Sequence, residues 1–198
     1  MKSIDVKGTA RTETGKKACR DIRKAGAVPC NLYGEAKGEN GLPVALSFTA
    51  TQEELRKLVY TPDIYSVNLN IDGKECKAVM KELQFHPVTD ALLHVDFYEI
   101  TETKPIVMEV PIKLNGLAEG VRAGGKLAAS VRKLKVKAPY TAIPEKLNID
   151  VTNLGLGKTI KVGELSFEGL ELVTSPSVVV CQVKMTRSAM SAAAKAQE

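Results

Sequence analysis

Residues 65–83 constrain the fold most. Y-S-V-N-L-N-I, Tyr65 to Ile71, alternates apolar and polar side chains, Asp72-Gly73 follows, and Glu75 to Leu83 is the return strand. Period-two alternation marks a strand with one buried face. Asp-Gly between two such runs marks a tight hairpin, because both central residues of its turn need positive φ. An isolated hairpin is marginal in water, so other segments must extend the sheet. Residues 2–10 alternate around Ile4 and Val6, and Val28–Tyr33, Pro43–Phe48 and Leu92–Tyr98 read as further strands. Thr51-Gln-Glu-Glu54 is a capping-box pattern, opening a short helix with Leu55, Leu58 and Val59 on its inner face. Many strands, tight turns and two short helices predict a mainly β barrel with helical patches.

The texture changes after Tyr98. Glu99–Lys104 is polar and Pro105 follows, so the expected domains are residues 1–98 and 99–185. Strands recur at Ile106–Leu114, Val131–Lys137, Leu147–Val151, Thr159–Val162, Leu170–Val173 and Val178–Lys184, punctuated by glycines, which predicts a second all-β domain. Residues 186–198 are Ala-rich without an amphipathic face and read as a flexible tail. The 44% hydrophobic content supports real cores. No apolar run approaches the ~20 residues that span a bilayer, and M-K-S-I-D-V-K reads as the start of a strand rather than a signal core. Cys19, Cys30, Cys76 and Cys181 are scattered without C-x-x-C, the pattern of free thiols in a reducing cytoplasm rather than a zinc site or disulfide scaffold.

Charge is unevenly placed. Eight of the 28 Lys+Arg lie in residues 1–34 against three acids, while the other 164 residues carry twenty of each sign. The net +5 is thus the charge of the first sixth of the chain, a field that attracts polyanions. Within it Gly15 and Gly26 bracket a short helix. Ala18, Ile22 and Ala25 fall on one face; Lys17, Arg20, Arg23 and Lys24 fall on the other, with Asp21 at the border. Tyr33 follows, with a ring suited to stacking on a base or sugar. A solvated basic helix over a core fits the same pattern.

The two histidines lie in Q-F-H-P-V-T-D-A-L-L-H-V-D-F, Gln84 to Phe97. On a strand, His94, Asp96 and Tyr98 share one face and Leu93, Val95 and Phe97 the other. A His-Asp pair serves acid–base chemistry, a metal, or hydrogen bonds to ribose hydroxyls and base edges. No nucleophile motif accompanies it, no third ligand cluster, and no phosphate loop, since residues 116–125 lack the Lys-Ser/Thr ending. A plain turn at His86-Pro87 with a surface His94 stands beside the RNA reading.

Two segments together go further. R-x-x-x-G-K-x-A-x-R-x-x-R ending in L-Y-G, then D-G-K-x-x-K, Q-x-H-P and L-x-H-V-D-F, resemble one family. It is the bacterial large-subunit ribosomal protein that binds 5S rRNA, the twenty-fifth of that subunit, whose two-domain form is also called general stress protein CTC. The motifs cover about residues 2–98. The resemblance implies a six-stranded β-barrel on 5S rRNA in the central protuberance, among neighbouring ribosomal proteins in the cytoplasm. It implies contacts from Arg11, Lys16, Arg20, Arg23 and Tyr33, and from Gln84, His86, His94 and Asp96. No enzyme activity, cofactor, metal, membrane or small-molecule substrate is expected. Where the family often has Ser this chain has Cys19, and where it often has a second Arg this chain has Asp21, which repels a backbone; Lys81 adds a positive charge nearby. Other readings remain: a detached anticodon-binding barrel for tRNA, a stress-related protein-binding module, and a small hydrolase using His94 and Asp96.

Overall fold

The computed structural model describes residues 1–34, 45–101 and 104–186. The chain divides into two compact units, Met1–Lys104 and Pro105–Glu198. The first contains β1 (Lys2–Ala10), α1 (Lys16–Lys24), β2 (Ala27–Tyr33), β3 (Leu46–Thr51), α2 (Gln52–Val59), β4 (Tyr65–Ile71), β5 (Lys74–Phe85) and β6 (Leu92–Glu99). The six strands close into a barrel in the order β1-β3-β2-β6-β5-β4. The predicted hairpin is β4–β5, paired Ile71↔Lys74 through Asn70↔Glu75, with Asp72 and Gly73 both at positive φ. Two seams are parallel, β1 with β4 and β2 with β6, so residues far apart in the chain lie side by side.

Alternation puts Val6, Leu69, Val95 and Phe97 inside, where Phe97 meets Phe48 with ring centroids 5.7 Å apart. Burying each such ring is worth about 1.5–3 kcal/mol. α2 adds Leu55 and Leu58 to the same core, and the Thr51 hydroxyl caps it by accepting from the Glu54 N–H. β3 lies later than the predicted Pro43–Phe48 strand, running on to Thr51; Pro43 and Val44 fall outside the described residues.

The second unit contains β7 (Pro105–Asn115), α3 (Glu119–Arg122), β8 (Lys126–Ala129), β9 (Lys133–Pro139), β10 (Leu147–Asp150), β11 (Thr159–Lys161), a 3-10 turn (Val162–Glu164), β12 (Glu171–Leu172) and β13 (Val179–Lys184). They form a four-stranded sheet, β10-β7-β9-β12, and a three-stranded one, β11-β13-β8. Leu134, Val136 and Val180 are buried in this unit. Sequence reading missed α3 and β8. Each is four residues long, too short for periodicity to register, and Gly124-Gly125 between them resembles a loop. Of the predicted tail, residues 186–198, all but Thr186 lie outside the described residues.

Candidate nucleic-acid interface

Three strands build a polar face on the outside of the barrel. Parallel pairing sets Asn31 beside Asp96 and Tyr33 beside Tyr98. Antiparallel pairing on the other flank sets Gln84 beside His94 and Glu82 beside Asp96. Because directly paired residues share a face, these seven side chains form one patch. Tyr33 and Tyr98 meet edge to face at 5.8 Å, and the Ser47 hydroxyl steadies the carboxamide oxygen of Asn31 at 3.0 Å. Sequence reading singled out Tyr33, Gln84, His94 and Asp96 but missed Asn31 and Glu82. Strand parity was the available signal for both, since Asn31 alternates with the buried Cys30 and Leu32.

His94 Nδ1 faces Asp96 Oδ1 at 3.3 Å, and both side chains are about four-fifths buried (17% and 21% exposed). Burial holds the His94 pKa below its ordinary value; Asp96 pulls it up, while the Arg11 and Arg23 guanidiniums push it down. The Tyr33 phenol is raised, by burial first and then by Asp96, Glu82 and Tyr98. Behind the face, burial pushes the Cys30 thiol up to about 12. The thiol paired alongside Val95 is therefore no nucleophile for a His-Asp base.

α1 stands beside this face. Gly15 (φ 103°) and Gly26 (φ 79°) end it on both sides, in backbone conformations that residues with a Cβ adopt only at a cost. Ala18, Cys19 and Ile22 are half-buried, but no residue of the helix is fully buried. Ala25, expected on the inner face, is the exposed C-cap. Two contacts tether the helix: Arg23 Nε donates to the Leu93 carbonyl of β6 at 3.0 Å, and Arg11 Nη1 donates to Cys19 Sγ at 3.3 Å. Arg11 is half-buried, and its Nε is enclosed without a partner. Lys16, Lys17, Arg20 and Lys24 are exposed.

His86 has a different task. Its Nδ1 accepts from the Val88 N–H at 3.3 Å and the Thr89 N–H at 3.2 Å, while its own N–H and carbonyl bond Ala91 and Asp90. The ring pins the β5–β6 turn and leaves only Nε2 for an outside partner. Lys81 sits where the register between β5 and β6 shifts. The structure thus brings Arg11, Arg23, Tyr33, Gln84, His94 and Asp96 together, places Lys16 and Arg20 on the adjoining helix, and puts His86 at the rim.

Residues 6–97 match the ribosomal L25p family, and residues 105–187 match the C-terminal domain of ribosomal protein TL5. The large ribosomal subunit protein bL25 of Phocaeicola vulgatus is 67% identical over 196 residues, 99% of each chain. The chain belongs to the ribosomal L25p family. The bL25 proteins of Bacteroides thetaiotaomicron (60% identical, 99% of each chain) and Porphyromonas gingivalis (54%, the full length of each) are similarly close. Membership in the L25p family makes this chain a ribosomal protein, a structural constituent and not an enzyme. Both units have family counterparts, the barrel in the L25p family and the second unit in the TL5 C-terminal domain.

Proposed function

We propose that this chain is a structural constituent of the large ribosomal subunit in the cytoplasm and that its barrel binds 5S rRNA in the central protuberance. The observation that carries the RNA reading is the division of labour between α1 and the neighbouring face. The helix offers exposed cations, which suit phosphates. The face places Glu82 beside Asp96, and two carboxylates repel phosphate; they accept from base edges and ribose hydroxyls instead. With the ring proton of neutral His94 on the nitrogen facing Asp96, Nε2 is an acceptor too. The pair then presents acceptors alone, complementary to a guanine edge or a 2′-hydroxyl. The Tyr33–Tyr98 pair supplies an aromatic wall for stacking.

The test offers the full chain 5S rRNA and tRNA in competition. It should retain 5S rRNA, and Asp96→Asn should weaken that complex by about 1–3 kcal/mol, the loss of a charge-assisted hydrogen bond, without changing its salt dependence. Preference for tRNA would favour the anticodon-binding reading, and tighter binding by Asp96→Asn would put Asp96 outside the contact.

A further inference from the structure

Both sheets of the second unit carry lysines, but only the three-stranded one sets two of them face to face. On the four-stranded sheet two of the four lysines are answered across the strands: Lys135 pairs with Glu109 and their side chains meet at 3.9 Å, while Lys137 pairs with Glu171 at 3.0 Å; Lys113 and Lys133 lie opposite Asn148 and Pro111. On the three-stranded sheet Lys126 lies directly opposite Lys184, both exposed. Like charges directly opposite destabilise a strand pair. Neither lysine is in an ion pair among the described residues, and β8, β11 and β13 contain no Asp or Glu.

The same face continues with short uncharged side chains. Ala128, Gln182 and Thr159 form one row across the three strands. Lys161, exposed, ends β11 opposite Val179, five residues along β13 from Lys184 and so roughly 16 Å away. Glu164 accepts from the Lys161 N–H and caps the turn that follows. The result is a short polar row with the Lys126–Lys184 pair at one end and Lys161 beyond a β-bulge at the other, where an opposed pair of like charges is kept at a cost to the fold.

We propose that the outer face of this three-stranded sheet docks an RNA phosphate backbone, a second RNA contact independent of the barrel. Lys126 and Lys184 would hold phosphates, and Gln182 and Thr159 would hydrogen-bond to the backbone between them. The choice of RNA over another polyanion rests on the proposed ribosomal function; the charge argument does not.

The experiment uses the full chain rebound to large subunits depleted of it, with Gln182→p-benzoylphenylalanine as a photo-crosslinker. Ribosomal RNA should be the crosslinked product; crosslinking to a ribosomal protein alone, or none, overturns the proposal. The same crosslinker at Gln84 reads the barrel separately, so RNA at Gln84 and none at Gln182 would leave the 5S reading standing and remove this one. Lys126→Ala with Lys184→Ala should leave the melting temperature unchanged or raised. It should make log Kd against log[salt] shallower by about 1.5, two contacts at roughly 0.7–0.9 each; an unchanged slope would also overturn the docking face.

Discussion

His94 is where opposing influences on one side chain become measurable. Its folded pKa lies below the ordinary 6.5 because burial outweighs the carboxylate of Asp96. The unfolded chain therefore takes up this proton more readily than the folded one. The stability from a neutral His94 is complete above about pH 6.5 and is lost as pH falls through the folded value. Urea unfolding of the barrel should accordingly show a smaller loss between pH 7 and pH 5 for His94→Gln than for the parent; an equal loss would mean that His94 does not titrate against the fold. How the face divides between legible and hidden residues follows from the same strand. Period two set His94, Asp96 and Tyr98 together, but Asn31 and Tyr33 join them only through a parallel seam. No local pattern announces which distant strand will pair.

At the scale of elements α1 is the weakly held one. A nine-residue helix with no fully buried side chain has little intrinsic stability, so the Arg23 and Arg11 tethers fix its place. Arg20 belongs to neither tether. Arg20→Ala should leave the barrel's melting temperature unchanged, weaken 5S rRNA binding, and lower the salt slope by roughly 0.7–0.9; binding without a salt dependence would contradict the phosphate role of the helix. The glycine brackets made this helix readable. Its loose seating was not, because helical spacing of Ala18 and Ile22 shows an apolar stripe but not whether a partner covers it. β5 and β6 were legible from alternation, whereas β8 needed its pairing with β13 to exist as a strand.

For the whole molecule, the division at Lys104 and Pro105 sets where the chain can be cut. Ile100 is buried, and its N–H bonds the Lys77 carbonyl, so the barrel's contacts continue past the polar break that begins at Glu99. A fragment of residues 1–104 should fold and retain most of the affinity for 5S rRNA, and one of residues 1–98 should melt at a lower temperature. Circular dichroism with a binding titration measures both, and a folded 1–104 fragment without RNA affinity would move the site elsewhere. The parallel seam between β2 and β6 has a further consequence during synthesis. β2 is complete long before β6 leaves the ribosome that is making it, and the proposed recognition face belongs to both strands. On the proposed function, a nascent or truncated chain ending before Glu99 would carry the cationic helix without the completed face, and should adhere to polyanions without selecting among them. On the same proposal, incorporation into a particle would discriminate in favour of chains translated through the last barrel strand, and selectivity for RNA would double as an inspection of the finished product.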